Sequence, residues 1–377
     1  MAHLYVNPKG FEVTFHSYSG GETFRYCAQK YKLERLDGWK ERENRASFPF
    51  GLAVEAAIKF HHDNRLSGGP EEFLRQWEKV KDSELTYTAT EGSWENLAAM
   101  GTEMLKLYAV RLPNLPFLTN PPPAFQVPKN KEMFPGTDLG GIKFSAYIDM
   151  LVKTLNGHMV IDVKTSGMAL DTTPGILTLD PQLRAYSWIT GVDEVGFLWF
   201  TKTNRSVEKG SRVTLLEDVD VFCAGHELSV FSVEKQDFGE DILWVIPDAE
   251  TLDAFEKRTK DLKPTTNAYK EIKKKFLDNA GIVVPKSKVT KQRMQFQTAH
   301  FTQADRDEIA QQIGMDIAQI VHANETNFWP KQGGIRFPND KCTKCPMRGI
   351  CLQNPELRDK MVFQKSDSTW ETPNDEN

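Results

Sequence analysis

The sequence predicts an α/β sandwich, a mixed central sheet with helices against it. Three observations carry that expectation. Residues 141–153 and 158–165 are rich in apolar and β-branched side chains in rough alternation, and Asn156-Gly157 between them is a strong two-residue hairpin signal. A helical stretch holding Gln182 and Tyr186 follows, the two residues one turn apart on one face. Residues 194–203 (Glu-Val-Gly-Phe-Leu-Trp-Phe-Thr-Lys-Thr) then form a near-continuous apolar run, as a strand covered on both faces requires. In a strand–strand–helix–strand order, the helix is the crossover between parallel strands.

The remaining elements follow in chain order. Residues 1–16 hold short alternating apolar stretches and are read as an edge strand. Ser17 or Ser19 can cap a helix running to about Arg35, on which Phe24, Cys27 and Tyr31 share a face. Residues 51–64 read as a helix. Gly51 stands one turn before Glu55 on the same side, leaving room for another segment to approach Glu55. His62 falls two turns after Glu55 on nearly that face, and His61 points elsewhere. Residues 70–80 and 91–111 give two more helices, the second with Leu97, Met100, Met104, Leu107 and Tyr108 as core positions.

Residues 113–128, with Pro121-Pro122-Pro123 at their centre, read as an extended connection. Beyond the apolar run, strand-like pieces occur at 212–216 and 242–246. Residues 248–275 are mostly helical, and 281–293 read as a mobile basic loop. Thr302-Gln-Ala-Asp305 resembles a capping box and starts a long helix whose buried stripe is Ile309, Ile313, Ile317, Ile320 and Val321. Residues 366–377 are polar and acidic and are expected to be disordered.

The 377 residues suffice for one large domain or two modest ones, and 40% hydrophobic with 26% charged residues is ordinary for a globular chain. No run has the apolar length of a membrane span, and the N-terminus lacks a signal-peptide pattern, so a cytoplasmic location is expected. A net charge of −5 argues against nucleic acid coating the whole surface. Residues 256–293, however, carry 12 Lys/Arg against 4 Asp/Glu, which suits a basic wall beside an acidic cleft or, equally, a solvated helix face.

Asp162 and Lys164 are two apart on one strand and so project from one face. Asp149 lies on the antiparallel partner, close enough to share a cation with Asp162. Two carboxylates suit a hard, oxygen-preferring Mg²⁺ or Mn²⁺ able to polarise a phosphate, and the amine can orient water and offset transition-state charge. The five cysteines are an odd number without a disulfide-framework pattern. Three of them, Cys342, Cys345 and Cys351, have the Cys-x2-Cys-x5-Cys spacing of a metal site. Cys223 is read as structural. Thiolate ligation suits zinc or an iron–sulfur cluster, and spacing does not choose between them.

In this order the motifs resemble the RecB-type branch of the PD-(D/E)XK nucleases, closest to members with an iron–sulfur cluster such as the CRISPR-associated RecB-like exonucleases and the AddB nuclease domain. The resemblance rests on Tyr18 to Leu33 around Cys27, on Gly51 to Glu55, on Asp149, on Asp162-Val163-Lys164, on Gln182-x-x-x-Tyr186 and on the closing cysteine motif. It implies a restriction-endonuclease-like core in which Glu55, Asp149, Asp162 and the Val163 carbonyl hold Mg²⁺ or Mn²⁺. Lys164 then positions the attacking water, and Gln182 and Tyr186 steady the lysine or the scissile strand. Glu55 stands where the family often has histidine, with His62 as the other candidate third ligand.

The resemblance also implies a 4Fe–4S cluster on Cys27, Cys342, Cys345 and Cys351, clasping the C-terminal segment to the N-terminal helix. The implied activity is DNA hydrolysis, favouring single-stranded ends, with Lys270, Lys273, Lys274, Lys288, Lys291 and Arg293 guiding the backbone. Recombination, repair, CRISPR adaptation or phage DNA processing are the settings, with a helicase, recombinase or CRISPR protein as partner. The alternative is a non-catalytic DNA-binding or assembly module stapled by a metal cluster. One domain over 1–365 is expected: helical part 17–111, catalytic core 124–250, basic insertion 256–293, C-terminal helix and cysteine motif 300–355.

Overall fold

Chain direction is first set by a cap: Ser17 Oγ accepts from Gly20 N at 3.2 Å and starts α1 (Tyr18–Tyr26). The computed structural model describes residues 4–6, 12–14, 17–41, 44–89, 91–137, 142–202, 222–223, 234–238, 241–246, 249–285, 293–332, 334, 341–343, 345–353 and 361–363. Leu4–Val6 and Glu12–Thr14 pair with each other and not with the central sheet. The expected unbroken helix is interrupted at Cys27, whose backbone is extended (φ −168°, ψ 116°), before Ala28–Tyr31 resumes. The reason is tertiary: Gln29 N donates to the Pro330 carbonyl at 3.3 Å.

Helices α2 (Ser47–Asp63), α3 (Gly69–Glu78) and α4 (Trp94–Arg111) follow as read. Phe50 from α2 meets Phe73 and Trp77 from α3 edge to face, with ring centroids 5.5 and 5.8 Å apart. The proline-rich stretch does more than connect. It yields β1 (Ala124–Glu132), an edge strand, where the missing N–H of Pro128 is tolerated.

The hairpin β2 (Lys143–Thr154) and β3 (Gly157–Ser166) forms as expected, with its turn one residue early. Thr154 pairs with Gly157, so Leu155 and Asn156 are the turn, and Asn156 N donates to Thr154 Oγ1 at 3.2 Å. Gly157 takes the positive φ just after it (136°). Helix α5 (Pro181–Thr190) crosses over to β4 (Glu194–Thr201), which is parallel to β3 with Asp162 opposite Phe197.

Beyond this lie β5 (Glu234–Phe238), β6 (Asp241–Val245), α6 (Leu252–Thr259), α7 (Asn267–Ala280) and β7 (Gly281–Pro285). The three strands form a small sheet whose core is Leu243, Phe255, Phe276, Ala280 and Val283. The expected basic loop thus begins as a strand, with Val283 in that core and Ile282 buried beside it in the chain. Strand β8 (Met294–His300), absent from the sequence reading, closes the central sheet against β4. Residues 212–216 and 366–377 lie outside the described residues.

The central sheet runs β8-β4-β3-β2-β1. Met150, Val152, Met159, Ile161, Val163, Leu198 and Phe200 pack beneath the helical layer of α2, α3 and α4. Ile148, Val160, Val195 and Phe197 meet Leu183 and Tyr186 of α5 on the opposite face. Helix α8 (Gln303–Thr326) has its capping box, and its stripe Ile309, Ile313, Ile317 and Val321 covers Phe144 and Trp188. Among the described residues no helix is long and apolar enough to cross a membrane.

Gly196 fixes how closely β4 and β8 approach. A Cβ there would stand 2.3 Å from the Gln297 carbonyl oxygen, a backbone atom that can yield only by parting the strands. Gly196→Ala is expected to destabilise the fold by about 1–3 kcal/mol, measured by urea unfolding.

Candidate active site

The hairpin ladder pairs from Thr154–Gly157 up to Met150–Ile161 and stops at Asp149 and Asp162. Where the ladder stops, Asp149 Oδ2 accepts the freed N–H of Val163 at 3.0 Å. The N–H and C=O of one strand residue point to the same side, so the Val163 carbonyl also faces Asp149. Asp162 is fully buried. Its Oδ1 accepts from Gln182 Nε2 at 3.2 Å, and its Oδ2 lies 2.7 Å from Lys164 Nζ. That second contact is charge on charge: Asp162 Oδ2 receives no well-directed hydrogen bond.

Gln182 Nε2 also donates to the Tyr186 hydroxyl at 2.8 Å, as residues one turn apart on α5 can. Asp180 caps that helix through Leu183 N at 2.9 Å, with Pro181 as its first residue, so the Gln182 amide is held on a fixed turn. Glu55 reaches the same place from α2. Gly51, one turn before it, faces Thr165 at the end of β3, where a Cβ would make an ordinary 3.6 Å contact with Thr165 Oγ1.

The charges of these groups act on one another. Burial above all, then the Asp162 charge, raises the Glu55 carboxyl to about 7 against the opposing pull of Lys164 and the Gln126 amide. Asp149 is raised by burial and by Glu55. Asp162 is raised by burial above all, against the pull of Lys164. Burial works against the Lys164 ammonium, but Asp162, Asp149 and Glu55 outweigh it and hold its proton more tightly than usual. The pocket therefore has a deficit of positive charge, and a buried carboxylate oxygen left without a hydrogen bond is where a cation would be drawn. Among the described residues no three His, Cys, Asp or Glu side chains are closed into a group that could hold a metal ion.

The sequence matches the PD-(D/E)XK nuclease superfamily over residues 16–352. The chain belongs to that superfamily. Of solved structures, a "Putative exonuclease" from Eubacterium rectale is 12% identical, covering 90% of this chain and 88% of its own, at a TM-score of 0.39. The structure of SSO0001 is 16% identical over 47% of this chain and 71% of its own, at a TM-score of 0.19. No curated protein matches.

Other expected residues of this PD-(D/E)XK chain have different fates. His62 is buried away from the carboxylates, its Nε2 2.6 Å from the Tyr108 hydroxyl and its ring against Phe125. Burial, then His61, pushes it down to about 4, and its contacts are with Tyr108 of α4 and Phe125 of β1. Arg293 is buried and ion-paired with Glu103. Its charge is matched inside the fold, which corrects its expected place on a DNA backbone. Lys270 and Lys274 are exposed on α7 and Lys273 is half-buried there, on the helix of the small sheet. Lys288 and Lys291 lie outside the described residues.

Cys27, Cys342, Cys345 and Cys351 are free thiols, all partly buried. Cys345 lies within electrostatic reach of Cys27 and Cys342; burial and these thiols raise its own. Cys345 and Cys351 pack with Leu33 and Met347. Tyr26 OH donates to the Lys341 carbonyl at 3.0 Å, joining the two ends of the chain beside the thiols.

Sequence reasoning missed Gln126. It sits in β1 at φ +50°, and its Nε2 donates to Glu55 Oε2 at 3.2 Å. The flanking pairs Phe125–Met150 and Val127–Ile148 set it across from Asp149. A left-handed glutamine in a strand leaves no mark in sequence; only its place between apolar β1 residues could have hinted at it.

The raised Glu55 pKa has a stability consequence. Between the usual carboxylate range and about 7 the folded state holds a proton that the unfolded chain has lost, so this contribution to stability falls as pH rises. Relative to Glu55→Gln, the metal-free wild type should therefore lose melting temperature from about pH 4.5 to 7 and level off above. Thermal melts in EDTA across that range check the sign; a difference independent of pH would refute it.

Proposed function

We propose that this nuclease hydrolyses DNA phosphodiester bonds with Mg²⁺ or Mn²⁺, as an exonuclease on single-stranded ends. The reading is supported above all by the convergence of Glu55, Asp149 and Asp162 beside Lys164, at the point where two strands part. Hard oxygen donors are what such cations prefer, and the mutual repulsion of the carboxylates favours a divalent charge among them. Glu55, Asp149, Asp162 and the Val163 carbonyl would hold it. Bound there, the cation supplies polarisation of the phosphate and acidification of water.

The protein's own groups do the rest. Lys164 stays protonated beside Asp162, orients the attacking water and offsets charge growing on the phosphate oxygens. Gln182, itself steadied by Tyr186 one turn along α5, holds Asp162 by its Oδ1 and so fixes the carboxylate's orientation. Gln126 does the same for Glu55 from the opposite wall. A binding module without catalysis would not need a charged lysine kept among three carboxylates.

We also propose that Cys27, Cys342, Cys345 and Cys351 hold a 4Fe–4S cluster that clasps the two chain ends. The proximity of Cys345 to Cys27 and Cys342 supports this, as does thiolate preference for soft metals. Recombination, repair, CRISPR adaptation and phage DNA processing are all settings in which such an enzyme would serve.

With Mn²⁺ and end-labelled single-stranded oligonucleotide, wild type should shorten the substrate and EDTA should stop it. Asp162→Ala and Lys164→Ala should each lower the rate by roughly 10²–10³-fold or more without changing far-UV circular dichroism. Cleavage at the wild-type rate by either variant would sink the assignment. Protein purified without oxygen should absorb in the visible blue and carry about four irons and four sulfides per chain. Zinc in their place would overturn the cluster while leaving the nuclease reading intact.

A further inference from the structure

The helix that carries Glu55 presents more than a carboxylate. Phe48 is 73% exposed and Leu52 50% exposed, large apolar side chains open to solvent on a helix that sends Phe50, Val54 and Ile58 into the core; Phe60, 38% exposed, lies off to one side of them. At about 100° per residue, Phe48, Leu52, Glu55 and Lys59 fall within roughly 60° of the circumference. Phe48 lies about 10 Å and Leu52 about 4.5 Å along the axis on one side of Glu55, and Lys59 about 6 Å on the other. The stripe thus reads aromatic, aliphatic, carboxylate, cation.

Two further exposed apolar side chains lie between site residues in sequence. Met168 (76% exposed) comes four residues after Lys164, and Leu179 (72% exposed) three before Gln182. Their segment is tied to the sheet by Trp199 Nε1 donating to the Met168 carbonyl at 2.9 Å.

We infer that the Phe48–Leu52 face is a stacking platform for an unpaired base next to the scissile phosphate of single-stranded DNA. The inference rests on the cleavage proposed above and specifies its substrate. Charge complementarity selects the occupant. Glu55 and the cation it would hold, with Lys59 and Lys164, mark where phosphates lie, and the apolar part begins where a base attached to that phosphate would reach. A base inside a duplex has both faces covered by its neighbours and cannot offer one to Phe48, whereas a single strand offers every base. A peptide or a second copy of the chain would have to bury Glu55 along with its apolar neighbours.

The test uses the full-length protein and three probes: a single-stranded oligonucleotide, the same oligonucleotide with abasic residues at its end, and bis(p-nitrophenyl) phosphate. Binding is read by fluorescence anisotropy in EDTA, hydrolysis in Mn²⁺. Phe48→Ala/Leu52→Ala is expected to weaken binding and lower kcat/KM on the intact oligonucleotide about tenfold or more. The loss on the abasic strand and on the small diester should be far smaller. An equal loss on intact and abasic strands would overturn the platform, and so would no loss on either. Self-association that the double variant abolishes would assign the face to a second copy and overturn it too. If wild type hydrolyses none of the probes, the cleavage reading fails, and anisotropy on intact against abasic strands still decides the platform.

Discussion

Three carboxylates crowd one half-buried pocket, and in this protein the first positive group among them is Lys164. Its ammonium stands 2.7 Å from a fully buried Asp162 oxygen, and the carboxylates in turn keep it charged. The fold around them serves that balance. The hairpin parts where Asp149 takes the Val163 N–H, the crossover helix brings in Gln182 and Tyr186, and α2 brings Glu55 to complete the group. Removing Lys164 would leave Asp162 buried beside like charges, which its neighbours would answer by holding protons more tightly.

The parallel pairing of β3 with β4 explains why these side chains meet at one end of the sheet. A right-handed crossover returns the chain to the neighbouring strand through α5. Its first turn therefore lands over the end of β3, where Asp162 and Lys164 project. The same order buries Val195, Phe197, Leu198 and Phe200 on alternate faces of β4, between the α2–α4 layer and α5. Membership of the PD-(D/E)XK nuclease superfamily accords with this layout.

Much of this was legible from residues alone, for identifiable reasons. The hairpin, the crossover helix and β4 carry strong periodicity. The capping box of α8 and its isoleucine stripe are local signals that tertiary packing reinforced. Legibility failed where long-range contacts decide. Strand β8 has few cues of its own and exists because β4 offers it an edge. Arg293 looks like any basic residue until Glu103, far away in sequence, is seen beside it. His62 lies near the Glu55 face by helical count, yet Tyr108 captures it. Gln126 reaches Glu55 only because its backbone turns left-handed within a strand. Each of these depends on a partner the local pattern does not encode.

The join between α1 and the cysteine-bearing segment has a temporal side. Tyr26 bonds to Lys341 across 315 positions of sequence, and Arg25 pairs with a buried Asp316 across 291. A ribosome delivers residues from the N-terminus, so α1 emerges early and must wait, its apolar face unsatisfied, until α8 and the segment beyond it arrive. The sheet can assemble in that interval from contacts much nearer in sequence. Docking of α1 is thus a late event in maturation, and a chain cut short before α8 would leave Phe24 and Tyr31 without the Ile320, Ala323 and Trp329 they pack on.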